Sequence, residues 1–194
     1  VLPAEKFWRE AARLGPIYFL ITTVTALSLL FVSGDPIFAV LRAMSTIATF
    51  GVDLPGHPGS GWSSEAILIL VMFFALSRGT FSRSSSKTKK WLLLYDPEIR
   101  VAAILIALAI IILVSLSWSK NSHIGSLVET IWGVFFTSVS FLTTTGLTST
   151  HIPEVLRGFD GAGIIFVALA MLGGGVATTA GGIKLLRVYI LARH

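Results

Sequence analysis

A short pattern of serine, threonine and glycine occurs twice in this chain. It reads S-x-x-x-T-x-G, and the two copies stand 95 positions apart. An apolar residue follows each copy. The matched pairs are Ser45 and Ser140, Thr49 and Thr144, and Gly51 and Gly146. Two copies at one offset indicate an internal duplication, which is a stronger signal than either string alone.

The Thr-x-Gly part of the pattern is suited to holding a cation with backbone oxygens. Non-helical backbone inside a membrane has carbonyl groups without partners, and this is tolerated only where protein or a watery path surrounds them. A ring of such carbonyls can replace the hydration shell of a monovalent cation. Glycine allows successive carbonyls to face the same way, and the threonine hydroxyl adds an oxygen ligand or a tether. The pattern therefore predicts a path for monovalent cations.

Long apolar stretches flank both copies. A helix needs about 20 apolar residues to cross a hydrocarbon core of about 30 Å. The stretches of that length cover residues 15–34, 62–81, 101–119 and 161–183, the last of which contains five interrupting glycines. Two shorter apolar stretches, 36–52 and 130–150, hold the two copies of the pattern. We expect these two to be half-length helices that enter the membrane, turn and leave on the same side.

The distribution of Lys and Arg favours this arrangement. If both short stretches return to the side they entered from, twelve basic residues lie on one side and three on the other, whereas a crossing at 130–150 gives ten and five. Basic residues accumulate on the cytoplasmic side of a membrane protein. The sequence thus predicts an all-α membrane protein with two tandem repeats, each consisting of a span, a re-entrant pore loop and a span.

The predicted organisation has four parts. Residues 1–14 form a cytoplasmic interfacial segment, and 15–81 form the first repeat. Residues 82–100 form a basic cytoplasmic linker, and 101–194 form the second repeat with a glycine-rich, broken last helix. Because the chain opens at Val1 and holds two repeats, we expect a fragment or processed product; the alternative is that two chains associate to complete a pore.

Composition excludes several classes of protein. Only 13% of the 194 residues are charged and 54% are apolar, whereas about a quarter of the residues of a soluble domain are charged. A mean hydropathy of +0.82 is too high for a nucleic-acid-binding domain or a disordered tail, despite the net charge of +5. No cysteine is present, and no span places a His, Asp or Lys base beside a Ser or Thr nucleophile. We therefore expect no enzymatic activity.

Three longer strings carry a family resemblance. STIATFGV at 45–52 and SFLTTTGL at 140–147, followed by GGGVATTAGGIK at 173–184, resemble the Trk/Ktr/HKT superfamily of potassium transporters. The DPEIR run at 96–100 is similar to that family's cytoplasmic linker. The resemblance covers nearly the whole chain and corresponds to two of the family's four repeats, the second and third.

This resemblance implies which residues act. A potassium-binding filter would be formed by carbonyls of Thr49, Phe50, Gly51, Thr144, Thr145 and Gly146. An intramembrane gate loop below it would be formed by Gly173, Gly174, Gly175, Ala177, Thr178, Thr179, Gly181 and Gly182, with Lys184 as a charge at the inner mouth. Phe50 replaces a frequent glycine, so its side chain must pack behind the filter. Ala177 and Thr178 replace glycine and serine, which predicts a stiffer gate.

The resemblance also implies the surroundings. We expect potassium as the bound ion with no organic cofactor, and a multi-pass protein of the bacterial cytoplasmic (inner) membrane in contact with lipid. Expected partners are the remaining two repeats, a second pore subunit in a homodimer and a cytosolic nucleotide-binding regulatory subunit, without nucleic acid. Ion-coupled symport and channel-like flow both stay open.

Other interpretations remain at this stage. Glycines in a membrane helix often serve close packing, a single S-x-x-x-T-x-G string is typical of a glycine-capped helix end, and Lys184 is equally suited to anchoring a span. A broken-helix secondary transporter for another small solute shares the repeats and unwound segments, and a sodium-permeable member of the same family is a further alternative. Glu65, at the edge of the second span, is expected to extend its carboxylate to the membrane surface.

Overall fold

The computed structural model describes most of the chain. The described residues are 3–52, 61–76, 97–120, 127–153, 156, 161–174, 180–183 and 190–191. They form helices and turns, with no β-strand among them. This agrees with the predicted all-α class.

The described residues include six helices. They are α1 (Pro3–Ser33), α2 (Pro36–Ile47), α3 (Trp62–Leu76), α4 (Pro97–Lys120), α5 (Leu127–Leu142) and α6 (Ala162–Leu172). Within the described part of the chain, two stretches are long and apolar enough to cross a membrane, Leu14–Ser33 of α1 and Ile99–Trp118 of α4. The 12 residues of α2 extend about 18 Å and the 16 residues of α5 about 24 Å. Neither helix is long enough to span a core of about 30 Å.

Local sequence explains where α2 begins. The side chain of Asp35 accepts hydrogen bonds from the backbone N–H groups of Ile37 at 2.9 Å and Phe38 at 3.4 Å, which are amides that the helix itself cannot satisfy. Pro36 occupies the first position, where its missing N–H costs nothing and its fixed φ suits a helix. The entry to α2 is therefore sharply defined after the turn at Gly34.

The helices pack in two groups of three. In the first group α2 contacts α1 and α3, and α1 contacts α3; in the second group α5 and α6 contact each other and α4 contacts both. The groups are joined because α3 also packs against α5. Leu29 of α1 and the small residues Ala39 and Ala43 of α2 are buried in the same hydrophobic core. Helices α2 and α5 thus each pack against the two other helices of their group and have buried faces.

Two of the predicted spans differ from the observed helices. The stretch 62–81 is helical over Trp62–Leu76, and residues 77–81 and most of the linker 82–100 lie outside the described residues. The stretch 161–183 is helical only over Ala162–Leu172. The N-terminal helix, by contrast, continues from Pro3 through Pro16 to Ser33 without a break at residue 14, because Gly15 and Pro16 are both accommodated within it.

Candidate functional site

The two copies of the repeated pattern form turns of the same shape. Helix α2 ends at Ile47 and α5 ends at Leu142, again 95 positions apart. We call Thr49–Gly51 the first turn and Thr144–Gly146 the second turn. Thr49 and Thr144 have φ values of 51° and 58°, and they are the non-glycine residues with positive φ in the described part of the chain. Gly51 and Gly146 follow with φ values of 72° and 78°.

The hydrogen bonds that close the two helices are also repeated. In each copy the N–H of the threonine donates to the carbonyl three residues back, and the next N–H donates to the carbonyl five residues back. These bonds define a Schellman motif, in which the residue with positive φ is normally glycine. The paired bonds are Thr49 N to Thr46 O (3.3 Å) and Thr144 N to Phe141 O (2.9 Å), then Phe50 N to Ser45 O (2.9 Å) and Thr145 N to Ser140 O (2.8 Å).

The helix-end interpretation of the string is therefore correct as geometry, but the glycine does not occupy the capping position. Threonine does, and a left-handed conformation costs an L-residue roughly 1–2 kcal/mol. Strained backbone of this kind is concentrated at functional sites. Two threonines strained in the same way at equivalent positions indicate that the hydroxyl, or the backbone geometry that follows it, is required.

The two turns touch each other. A Cβ added at Gly51 would lie 2.5 Å from the carbonyl oxygen of Thr145 and 3.7 Å from the Cα of Gly146. At Gly146 an added Cβ would lie 3.9 Å from the Cα of Gly51. The first turn thus lies directly beside the second, and only glycine fits at position 51, both for space and for its positive φ.

The second turn is fixed by its own side chains. The hydroxyl of Ser140 accepts the N–H of Leu147 at 2.7 Å, and the hydroxyls of Thr143 and Thr145 are 3.0 Å apart. The Thr143 hydroxyl also donates to the carbonyl of Ser140 at 3.0 Å. Thr145 is only 2% exposed. The backbone that leaves α5 is therefore held by hydrogen bonds to buried side chains.

The first turn has a different surface. Phe50 is 76% exposed, so the packing expected behind its side chain is not supplied by the described residues. Ala48 and Phe50 stand where the second turn has Thr143 and Thr145, and the hydroxyl pair of the second turn is consequently lost. The described residues leave the side of the first turn that carries Phe50 uncovered.

The glycine-rich segment, residues 173–182, returns to the second turn. Helix α6 ends where Gly173 takes a φ of 71°, and Gly182 has a φ of 81°. A Cβ at Gly182 would lie 2.6 Å from the Cα of Gly173, and the N–H of Ile183 donates to the carbonyl of Met171 at 3.0 Å. The two described ends of the segment are therefore in contact with each other.

The described ends of this segment contact the second turn and the end of α5. The N–H of Gly181 donates to the hydroxyl of Thr144 at 2.7 Å, which is the residue with the strained φ. On the other end, a Cβ at Gly174 would lie 3.8 Å from the carbonyl oxygen of Leu142. Gly173, Gly174, Gly181 and Gly182 are thus placed beside the second turn. The other expected gate residues, Gly175, Ala177, Thr178 and Thr179, and the inner-mouth residue Lys184, lie outside the described residues.

The sequence analysis did not predict that one carboxylate would be buried inside the protein. Glu65, in the first turn of α3, is fully buried, so the expectation that it extends to the membrane surface is wrong. Its Oε2 accepts the indole N–H of Trp132 at 2.7 Å. Its Oε1 accepts the hydroxyl of Ser149 at 2.7 Å and the N–H of Thr150 at 3.1 Å. The signal in the sequence is an acid within an apolar stretch, which is a functional candidate by default.

Aromatic packing surrounds this carboxylate. Trp62 stacks on Trp132 with ring centroids 5.3 Å apart, and the ring of His151 lies 5.0 Å from that of Trp62. A Cβ at Gly133 would lie 2.7 Å from the backbone of His151 and Ile152, so the chain after the second turn is pressed directly onto α5. Helix α3 of one group is in this way joined to α5 and to the chain after the second turn.

One charged side chain of α2, the helix that leads into the first turn, is packed inside the protein. Arg42 is buried, and its guanidinium lies 5.1 Å from the ring centroid of Phe38. Asp35 caps the same helix at its N-terminus. Within the described part of the chain, no group of three or more His, Asp or Glu side chains could hold a metal ion. The residues of the two turns themselves supply only carbonyl and hydroxyl oxygens.

Comparison with known proteins identifies the family. Residues 66–194 match the family described as "TrkH: Cation transport protein", which is more than half of the chain. The chain belongs to the TrkH family. The resemblance inferred from the motifs is thereby confirmed, and membership supports a location in a membrane.

Individual TrkH relatives agree with this assignment. The "Trk system potassium uptake protein TrkH" of Escherichia coli (strain K12) is 29% identical over 194 residues, covering 95% of this chain and 38% of the relative. The protein of the same name from Salmonella typhimurium is 30% identical over 195 residues, with the same coverage. The chain therefore spans less than half the length of these relatives.

A solved structure shows the same fold. The crystal structure of the potassium transporter TrkH from Vibrio parahaemolyticus matches with a TM-score of 0.74 and 22% identity, covering 99% of this chain and 41% of that one. At this identity the match establishes the arrangement of helices alone. The fold described above is a TrkH fold over almost the whole chain.

Proposed function

We propose that the protein containing this chain transports potassium ions across the bacterial inner membrane, and that the chain supplies two of four pore segments. The observation that carries the proposal is the pair of matched turns with strained threonines, which meet at Gly51 and Thr145. In this proposal the filter is lined by carbonyls of Thr49, Phe50, Gly51, Thr144, Thr145 and Gly146. The relatives named for potassium uptake support the choice of ion.

The orientation of the short helices favours a cation over an anion. Both turns follow the C-terminal ends of α2 and α5, where unpaired carbonyls give the helix a partial negative charge. A broken-helix transporter for an anionic solute would instead direct helix N-termini at its substrate. Since the residues of the two turns have no charged side chain, a monovalent cation that binds to neutral oxygens is the best-matched ligand.

The glycine-rich segment is proposed to be the gate. Its Gly181 amide is bonded to Thr144, so the positions of Gly181 and the second turn are coupled. A loop that remains against the filter obstructs the path, and one that detaches opens it. Lys184 follows this segment in the sequence and is proposed to act at the inner mouth.

The surroundings of the pore are proposed from the family. Residues 15–81 and 101–194 would be the second and third of four span, pore-loop and span repeats, joined by the linker 82–100, with residues 1–14 at the cytoplasmic surface. The remaining two repeats would come from the rest of the protein or from a second chain. A homodimer of pore subunits, a cytosolic nucleotide-binding regulatory subunit and surrounding lipid complete the proposal.

Growth on low potassium tests this function. The complete reading frame that encodes this chain should restore growth to bacteria that lack potassium uptake, and Gly146→Asp should abolish it, because a carboxylate in the second turn would trap or displace the ion. Gly34→Asp is the matched control, since Gly34 has a similar φ of 71° with nothing within 4 Å of an added Cβ. Two results would contradict a potassium filter at this turn. One is that the reading frame supports growth only when sodium is supplied, and the other is that the Gly146→Asp strain grows as well as the wild-type strain.

A further inference from the structure

Glu65 connects two parts of the molecule that are far apart in sequence. It belongs to α3, which follows the first turn, and the four hydrogen bonds that it accepts come from α5 and from the chain after the second turn. Trp132 lies 67 residues away from it and Thr150 lies 85 residues away. The carboxylate is fully buried, so water does not share these bonds.

The partners of Glu65 require a carboxylate. Each contact described above is an N–H or O–H donor, and the donors approach both carboxylate oxygens. An ionised carboxyl group accepts on both oxygens, whereas an amide must direct an NH₂ group at one set of donors. Packing alone would be served by an apolar side chain, and a buried acid inside a membrane protein is costly. The carboxylate is therefore present for what it holds in place.

The held segment leads directly out of the second turn. Ser149 and Thr150 lie three and four residues after Gly146, a distance of at most about 14 Å along the chain. Between Gly146 and Ser149, the N–H of Leu147 donates to the hydroxyl of Ser140. The N–H of Ser149 itself donates to the hydroxyl of Thr137 at 3.2 Å. A shift of Ser149 would thus reach the second turn through a short stretch that is bonded to α5 at Leu147 and Ser149.

We infer that Glu65 is a positioning residue that sets the carbonyl spacing of the second turn and thereby the preference for potassium over sodium. The inference rests on the function proposed above. A smaller sodium ion needs carbonyls that close further inward, and a segment fixed by several hydrogen bonds resists that movement. Loosening the segment lowers the discrimination between the two ions before it lowers transport itself.

Glu65→Gln in the full-length protein is the test, with the ratio of potassium to sodium uptake as the readout. We expect the ratio to fall by at least about fivefold, which is the change that loss of one hydrogen bond produces in an equilibrium. Ser64→Ala is the matched control, because Ser64 is also buried in α3 but its hydroxyl donates to Gly61 beside it. Its ratio should equal that of the wild-type protein.

A second variant keeps the test decisive. Trp132→Phe removes one donor and retains an aromatic ring, so in the double variant the glutamine can direct its NH₂ group at the ring and its oxygen at Ser149 and Thr150. We expect the double variant to recover part of the lost ratio. Thermal shifts of the purified variants in KCl and in NaCl give the same comparison where uptake is weak.

The outcomes separate the two claims. Wild-type protein that moves no potassium would overturn the proposed function and this assignment with it. Wild-type transport with an unchanged ratio in Glu65→Gln, an equal fall in Ser64→Ala, or a double variant no better than Glu65→Gln would overturn the assignment of Glu65 alone.

Discussion

Replacing Thr144 with valine should release the glycine-rich segment from the second turn and increase potassium flux. The Thr144 hydroxyl accepts the Gly181 N–H at 2.7 Å. Valine has nearly the same shape and the same branch at Cβ, so the strain of the φ value of 58° is retained. The substitution therefore changes the tether and leaves the conformation of the turn as it is.

The size of the effect follows from that one bond. A neutral hydrogen bond contributes about 1 kcal/mol net, and this corresponds to about a fivefold change in the equilibrium between attached and detached segment. If detachment limits flux, we expect roughly a fivefold increase for Thr144→Val. Thr144→Ser retains the hydroxyl and should remain near the wild-type flux.

Two measurements check this in the full-length protein. Uptake of potassium gives the flux, and hydrogen exchange at the Gly181 amide reports whether the bond has been lost. Thr49→Val is the matched control, because Thr49 has a similar φ of 51° in the other turn and the Gly181 amide is bonded to Thr144. Equal flux in Thr144→Val and Thr144→Ser, or an equal increase in Thr49→Val, would refute a gate tethered at this hydroxyl.

The remaining predictions concern stability and are measured by thermal unfolding in detergent. Gly133→Ala should destabilise the protein by about 1–3 kcal/mol, since its Cβ would lie 2.7 Å from the backbone of His151. A Cβ added at Gly15 would have nothing within 4 Å, so Gly15→Ala should instead stabilise α1 by about 0.5–1 kcal/mol. If both variants lose stability, the close contact at Gly133 is not the cause. Asp35→Ala should cost about 1 kcal/mol through the lost helix cap. Asp35→Asn should cost less, and identical losses would contradict the cap.

The sequence was sufficient to predict the paired turns because their signal is local. The S-x-x-x-T-x-G pattern contains both the helix end and the turn, and a repeat at one offset can be found without knowing any contact. It also predicted that the stretch 161–183 would be interrupted at its glycines, since glycine permits the positive φ that Gly173 and Gly182 adopt.

The surroundings of the turns could not be predicted in the same way. Glu65 finds its partners 67 to 85 residues away, and nothing near it in the sequence distinguishes a buried acceptor from a side chain that reaches the membrane surface. The exposure of Phe50 depends equally on which neighbouring elements cover the first turn. Such facts are set by tertiary packing, which a periodic pattern does not record.

The capping threonines favour the proposed functional origin of the repeat over a purely structural one. If the two turns served only to end α2 and α5, glycine at positions 49 and 144 would form the same Schellman motif without strain. Together the two threonines cost roughly 2–4 kcal/mol, a large part of the 5–15 kcal/mol by which a typical protein is stable. The Thr144 hydroxyl offsets part of this through its bond to Gly181. A cost retained at both ends of a duplication, beside a direct contact between the turns, is better explained by a shared role in binding an ion than by helix termination.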